Sequence, residues 1–170
     1  MSRIGLIFAA VILGAVLFVA LPKRLGGQAN SLPQNSASSP DERDLAAKKN
    51  TLLSESTDLE AMAKSLKGPD FEAALEVDTK AQHGVMELDA AIWFLDLYNN
   101  MQCAQDREIA KTALKNRLGF YSYLLGLEAD QVAGHLAFAN SPAIVQSGMR
   151  VKDELRGAKG KLDEIVSLVK

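Results

Sequence analysis

"NSPAIVQSGMRVKDELRGAKGKLDEIVSLVK", residues 140–170, is the stretch whose reading decides the fold. Val151, Leu155, Ala158, Leu162, Ile165 and Val169 recur in it at intervals of four, three, four, three and four. That spacing gathers them on one stripe of an α-helix, whereas a strand would alternate every second residue. Ile144 and Gly148 continue the stripe backward, and Ser141 followed by Pro142 supplies a cap and a first-turn proline. Charged residues of both signs share the other faces, as on a solvated surface.

The same device opens the body at "SPDE", residues 39–42, where Ser39 is placed as cap, Pro40 at the first helical position and Glu42 to complete a capping box. Leu45, Leu52, Leu59 and Leu66 then recur every seven residues, with Met62 beside them. "KGPD", residues 67–70, ends that helix and opens a second, expected over residues 70–99 with Leu75, Ala81, Val85, Leu88, Ile92 and Leu95 on its apolar face. "NNMQCAQD", residues 99–106, reads as a turn, and Asp106 is placed to cap a third helix. That helix carries the stripe Leu114, Leu118, Tyr121, Leu125, Val132 and Leu136. Gly119, Gly126 and Gly134 lie along it, which predicts either close helix approach or a break near Gly126.

Four long helices joined by short turns predict an all-α fold over residues 41–170. It is either an antiparallel four-helix bundle or an elongated, coiled-coil-like domain whose end helices pair with another chain. Ahead of it, residues 4–21 form an uncharged, largely aliphatic run that ends at Pro22-Lys23-Arg24. Eighteen residues of helix span roughly 27 Å, so residues 1–25 are expected to be a single transmembrane anchor, with a cleaved signal peptide as the alternative. Residues 26–40 read as a flexible polar linker. The expected placement is single-pass membrane with a periplasmic or extracellular body, or secretion if the leader is cut.

Net charge is −2, but Arg3, Lys23 and Arg24 precede every acidic residue, leaving an acidic body without the basic footprint of a nucleic-acid binder. The single cysteine, Cys103, excludes an intrachain disulfide and a thiolate zinc cluster, and beside a turn it is expected to be a buried hydrophobe. No nucleophile elbow, zinc-protease motif or phosphate-binding loop occurs, so no catalytic residue, metal ligand or cofactor is expected. His83 shares a helix face with Glu87, and His135 with Gln131, which predicts boundary or interface roles for the two histidines. Glu128 falls in a core slot of the third helix. A lone buried carboxylate is costly, so a break or rotation near Gly126 is expected to carry it to the surface.

"WFLDLY", residues 93–98, and "GFYSY", residues 119–123, lie on either side of the turn near Cys103 and can face each other across a hairpin. Trp93, Phe94, Tyr98, Phe120, Tyr121 and Tyr123 are therefore candidates for core filling, for a docking patch or for a ligand pocket. The function expected from these features is a membrane-anchored, non-catalytic scaffold or interaction module. Its partners would be membrane lipid and either another protein or a second copy through helical faces. A sensory or ligand-binding bundle with an aromatic-lined pocket is the alternative.

Overall fold

The computed structural model describes residues 38–169, which form four helices and no strand. They are α1 (Pro40–Ala63), α2 (Pro69–Asn99), α3 (Ala104–Leu136) and α4 (Pro142–Leu168). Each packs on its neighbour in chain order, α4 returns to α1, and α2 also approaches α4 across the middle. The ends of the first and last helices close on each other: Lys161 Nζ lies 2.9 Å from Asp41 Oδ1. The elongated arrangement is thus not the one that forms.

The diagonal contact follows from side-chain size. α2 buries Ala73, Ala74, Ala81, Gly84 and Ala91 toward the interior, which lets its backbone approach closely. A methyl group on Gly84 would collide with Leu155 Cδ2 and come within 3.1 Å of Leu52 Cδ1 and 3.7 Å of Leu125 Cδ2. One leucine from each of α1, α3 and α4 therefore converges on a glycine of α2 at the centre of the core. Above and below it lie Leu45, Leu59, Leu88, Leu118, Val151 and Leu162, all fully buried.

The helix starts show how the chain is punctuated. Ser39 Oγ accepts from Glu42 N at 3.2 Å and Glu42 Oε2 accepts from Ser39 N at 3.1 Å, the reciprocal capping box. Glu42 Oε1 also accepts from Asn99 Nδ2 at 2.7 Å, tying the start of α1 to the end of α2. Gly68 reverses the chain between α1 and α2 with φ of 62°, a conformation that favours glycine. At the start of α4 the Ser141 hydroxyl makes no capping bond. Instead Asp70 Oδ1 accepts from Asn140 N at 2.6 Å and Ser141 N at 2.9 Å, so α2 caps the α3–α4 turn.

Four expectations are corrected. Among the described residues no helix is long and apolar enough to cross a membrane, and residues 1–37, which hold the aliphatic run, lie outside the described residues. The anchor, the lipid partner, and the periplasmic, extracellular or secreted placements drawn from it are withdrawn. Secondly, α3 begins at Ala104 after Cys103, which is exposed rather than buried; Asp106 lies in its first turn and is not its cap. Thirdly, α3 runs unbroken through Gly126, where the aliphatic stem of Lys159 covers the glycine, with Cδ and Cε 3.2 and 3.3 Å from an added Cβ. Glu128 consequently stays in its core slot and is buried. Lastly, Gly119 and Gly134 face open space, so they mark neither a break nor a close approach.

Candidate functional site

Each pair of adjacent helices is latched by a carboxylate. Between α1 and α2, Ser56 Oγ donates to Asp78 Oδ1 at 2.5 Å, and Gln82 Nε2 donates to both Asp78 oxygens. Between α1 and α4, Glu55 accepts from Ser147 Oγ at 2.6 Å and from Arg150 Nε and Nη2 at 2.6 and 3.1 Å. Burial alone would raise the Glu55 carboxyl, but hydrogen bonds from Arg150 and Ser147, with the Arg150 charge, outweigh it and hold it below the usual range. Between α3 and α4, Asp163 is held low by hydrogen bonds from Lys159 and Ser122. Polar groups placed this way fix which helix meets which, and at what height, because a slipped register would strand them. They are devices of the fold. Sequence reading passed over Ser56, Asp78, Glu55 and Ser147, although a serine three residues after Ile144 was a legible signal.

The α2–α3 latch is different in kind. Lys80 Nζ and His83 Nδ1 each lie 3.2 Å from an oxygen of Glu128. Nearby on α2, Glu87 is partly buried, and its Oε2 atom is buried without a hydrogen-bond partner. Burial, with the charge of Glu128 adding to it, pushes the Glu87 carboxyl up to about 7. The folded chain therefore holds this proton more tightly than the unfolded chain, so this group's contribution to stability falls as pH rises from about 4.5 to about 7. Glu87 is partly solvated, and screening trims the effect to about 1 kcal/mol. In Glu87→Gln that part of the fall is expected to vanish, so the variant's advantage in urea midpoint widens across this window. An advantage that stays constant with pH would contradict it. His83 and His135 occupy helix boundaries, His135 Nε2 lying 3.7 Å from Glu76 Oε2. Among the described residues, no group of three or more His, Cys, Asp or Glu side chains is arranged to hold a metal ion.

The aromatic residues divide between the core and the surface: Phe94, Tyr98 and Tyr121 pack against the core cluster. Trp93, Phe120 and Tyr123 are exposed, while Phe94, Tyr98 and Tyr121 are half-buried. Four of them form a chain across the α2–α3 groove. Trp93 meets Phe94 edge-on at 4.9 Å, Phe94 lies 6.3 Å from Tyr121, and Tyr121 lies 5.9 Å from Phe120. The Arg117 guanidinium sits over the Phe94 ring at 5.9 Å. The ligand-pocket expectation is corrected here, since among the described residues there is no evidence of a buried binding pocket. The nearby hollow, about 110 Å³ and lined by Phe94, Leu97, Tyr98 and Met101 among others, opens to solvent and touches neither Trp93 nor Tyr121.

Beyond this chain of rings lies a feature that sequence reading missed. On the solvent side of α3, Ile109, Ala113, Asn116, Phe120, Tyr123 and Leu127 recur at intervals of four, three, four, three and four. All six are exposed; the four large ones retain 72% (Ile109), 51% (Phe120), 65% (Tyr123) and 40% (Leu127) of their surface. At 100° per residue this seam is turned about 150° from the stripe that faces the core. α3 is thus apolar on two opposite sides, and reading only the Leu114 stripe hid the second. Tyr123 and Phe120 belong to the seam, and Trp93 and Phe94 adjoin it through the chain of rings.

No protein-family model, curated protein or solved structure matches the chain.

Proposed function

We propose that the bundle is a non-catalytic docking body that receives an amphipathic helix along the outward face of α3. One observation carries the reading: a seam with coiled-coil spacing and no charged side chain stands exposed on a helix whose opposite side already serves the core. Water-facing helix surfaces are ordinarily charged, and an uncharged, mostly apolar stripe of this length, interrupted only by Asn116, is what helix-in-groove recognition uses. The latches between the four helices support the reading too, because a rigid body presents such a seam without the entropic cost of ordering it first.

A photo-crosslinking amino acid placed in the full chain tests this. Substituted at Phe120 or at Leu127, it is expected to give adducts that mass spectrometry maps to an apolar helix stripe on the acceptor. Substituted at Asp153, on the charged outer surface of α4, it is expected to give none. Equal labelling from all three positions, or none from any, would sink the proposal.

A further inference from the structure

We propose that the helix received by α3 is α3 of a second copy, packed antiparallel about a two-fold axis at the level of Leu118. This rests on the docking reading above and names its partner.

The spacing of the seam is a palindrome. Read from either end, Ile109, Ala113, Asn116, Phe120, Tyr123 and Leu127 give the same intervals. In one antiparallel register every seam position therefore meets a seam position of the second copy: Ile109 opposite Leu127, Ala113 opposite Tyr123, and Asn116 opposite Phe120. Shifting by a heptad either way leaves positions at the ends unmatched. The small Ala113 facing the large Tyr123 lets side chains interlock, and the outer pair sets aliphatic against aliphatic. A two-fold contact of this type uses one patch twice, which is the commonest way soluble chains pair.

Charge allows it. A two-fold contact sets groups near the axis against their own kind, and a charge elsewhere in the seam would be buried without an assured partner. This one carries no charge from Ile109 to Leu127. Arg117, at the flank near the axis, is drawn aside over the Phe94 ring on α2.

The area fits as well. With about 200 Å² for a large side chain, the exposed fractions of Ile109, Phe120, Tyr123 and Leu127 offer roughly 450 Å² of apolar surface per copy. A standard stable interface takes about 800 Å² from each partner, a little over half of it apolar. The seam alone supplies that apolar share.

The lone cysteine allows a test on the full chain without engineering. Cys103 is exposed at the start of α3 and accepts a nitroxide label. In the proposed register the two Cys103 residues stand thirty helical residues apart, about 45 Å along the axis at 1.5 Å per residue. Pulsed dipolar spectroscopy is expected to show one distance near that value, lost in Phe120→Glu/Leu127→Glu. A parallel pair would place the labels within about 20 Å of each other and would overturn the proposal. So would a distance that persists in the double variant. If no dipolar coupling appears while crosslinks from position 120 land on a different protein, the self-pairing fails and the docking face stands. If both measurements are blank, both fall.

Discussion

Leu155→Ala is expected to cost about 2–5 kcal/mol of unfolding free energy, a large part of the about 5–15 kcal/mol that a domain of this size possesses. Leu155 is fully buried, and its Cδ2 rests against Gly84 where Leu52 and Leu125 also converge. Truncation removes the apolar contact and leaves a void that three helices cannot close, because α2 already stands as near as its backbone allows. The same geometry makes a sharper claim about Gly84. In the wild-type chain Gly84→Ala forces a methyl into Leu155, an overpacking cost of about 1–3 kcal/mol that exceeds the gain of about 1 kcal/mol in helix propensity. In the Leu155→Ala background that methyl enters the void instead, and Gly84→Ala becomes stabilising. Urea unfolding of the four chains measures this as a double-mutant cycle, and strictly additive effects would contradict the proposed central layer.

Much of the fold was legible because it is written in local signals. The capping box of Ser39 and Glu42, the prolines that open α1 and α4, and the stripe from Val151 to Ile165 all appear in the structure at the expected positions, while Val169 falls at the non-helical cap after α4. Each depends on neighbours within one or two turns of chain. What was illegible depends on another helix. Glu128 looked too costly to bury because Lys80 and His83, which hold it, lie over forty positions away on α2. Gly126 looked like a break because the Lys159 stem that covers it belongs to α4. Cys103 looked buried as a small hydrophobe, but its position at the start of α3 leaves it exposed. Gly84 drew no notice, yet it sets how closely α2 and α4 approach.

The candidate face was legible in part. The two aromatic clusters do meet across the α2–α3 hairpin, through Phe94 and Tyr121. Their expected use as core filling holds for Phe94, Tyr98 and Tyr121, which pack against the core, and not for Trp93, Phe120 and Tyr123, which are exposed. The seam itself was written in α3 as plainly as the core stripe, at the same intervals. One helix carrying two apolar stripes has almost no net amphipathic direction, and attention to the first conceals the second. Among the described residues α4 is the opposite case, with a single stripe and charged flanks.

That seam is where the central claim stands or falls. Phe120→Glu/Leu127→Glu puts two carboxylates at positions that are 51% and 40% exposed in the single chain, so the folded body loses part of two apolar contacts, about 1–2 kcal/mol, and stays folded. In the paired state the carboxylate at position 127 is forced against Ile109 of the second copy, where it loses water and gains no partner, and the one at position 120 exchanges its water for a single neutral amide, Asn116. Central aromatic and aliphatic anchors are each worth about 2 kcal/mol or more, so the two changes on one copy alone should weaken pairing by about 1,000-fold. Sedimentation equilibrium of the full chain beside this double variant is the most direct measurement. The expected result is a concentration-dependent dimer for the wild-type chain, whose thermal midpoint rises with concentration, and a double variant that stays monomeric over the same range with a midpoint that does not depend on concentration. Two superimposable profiles, or a wild-type chain that is monomeric throughout, would contradict it.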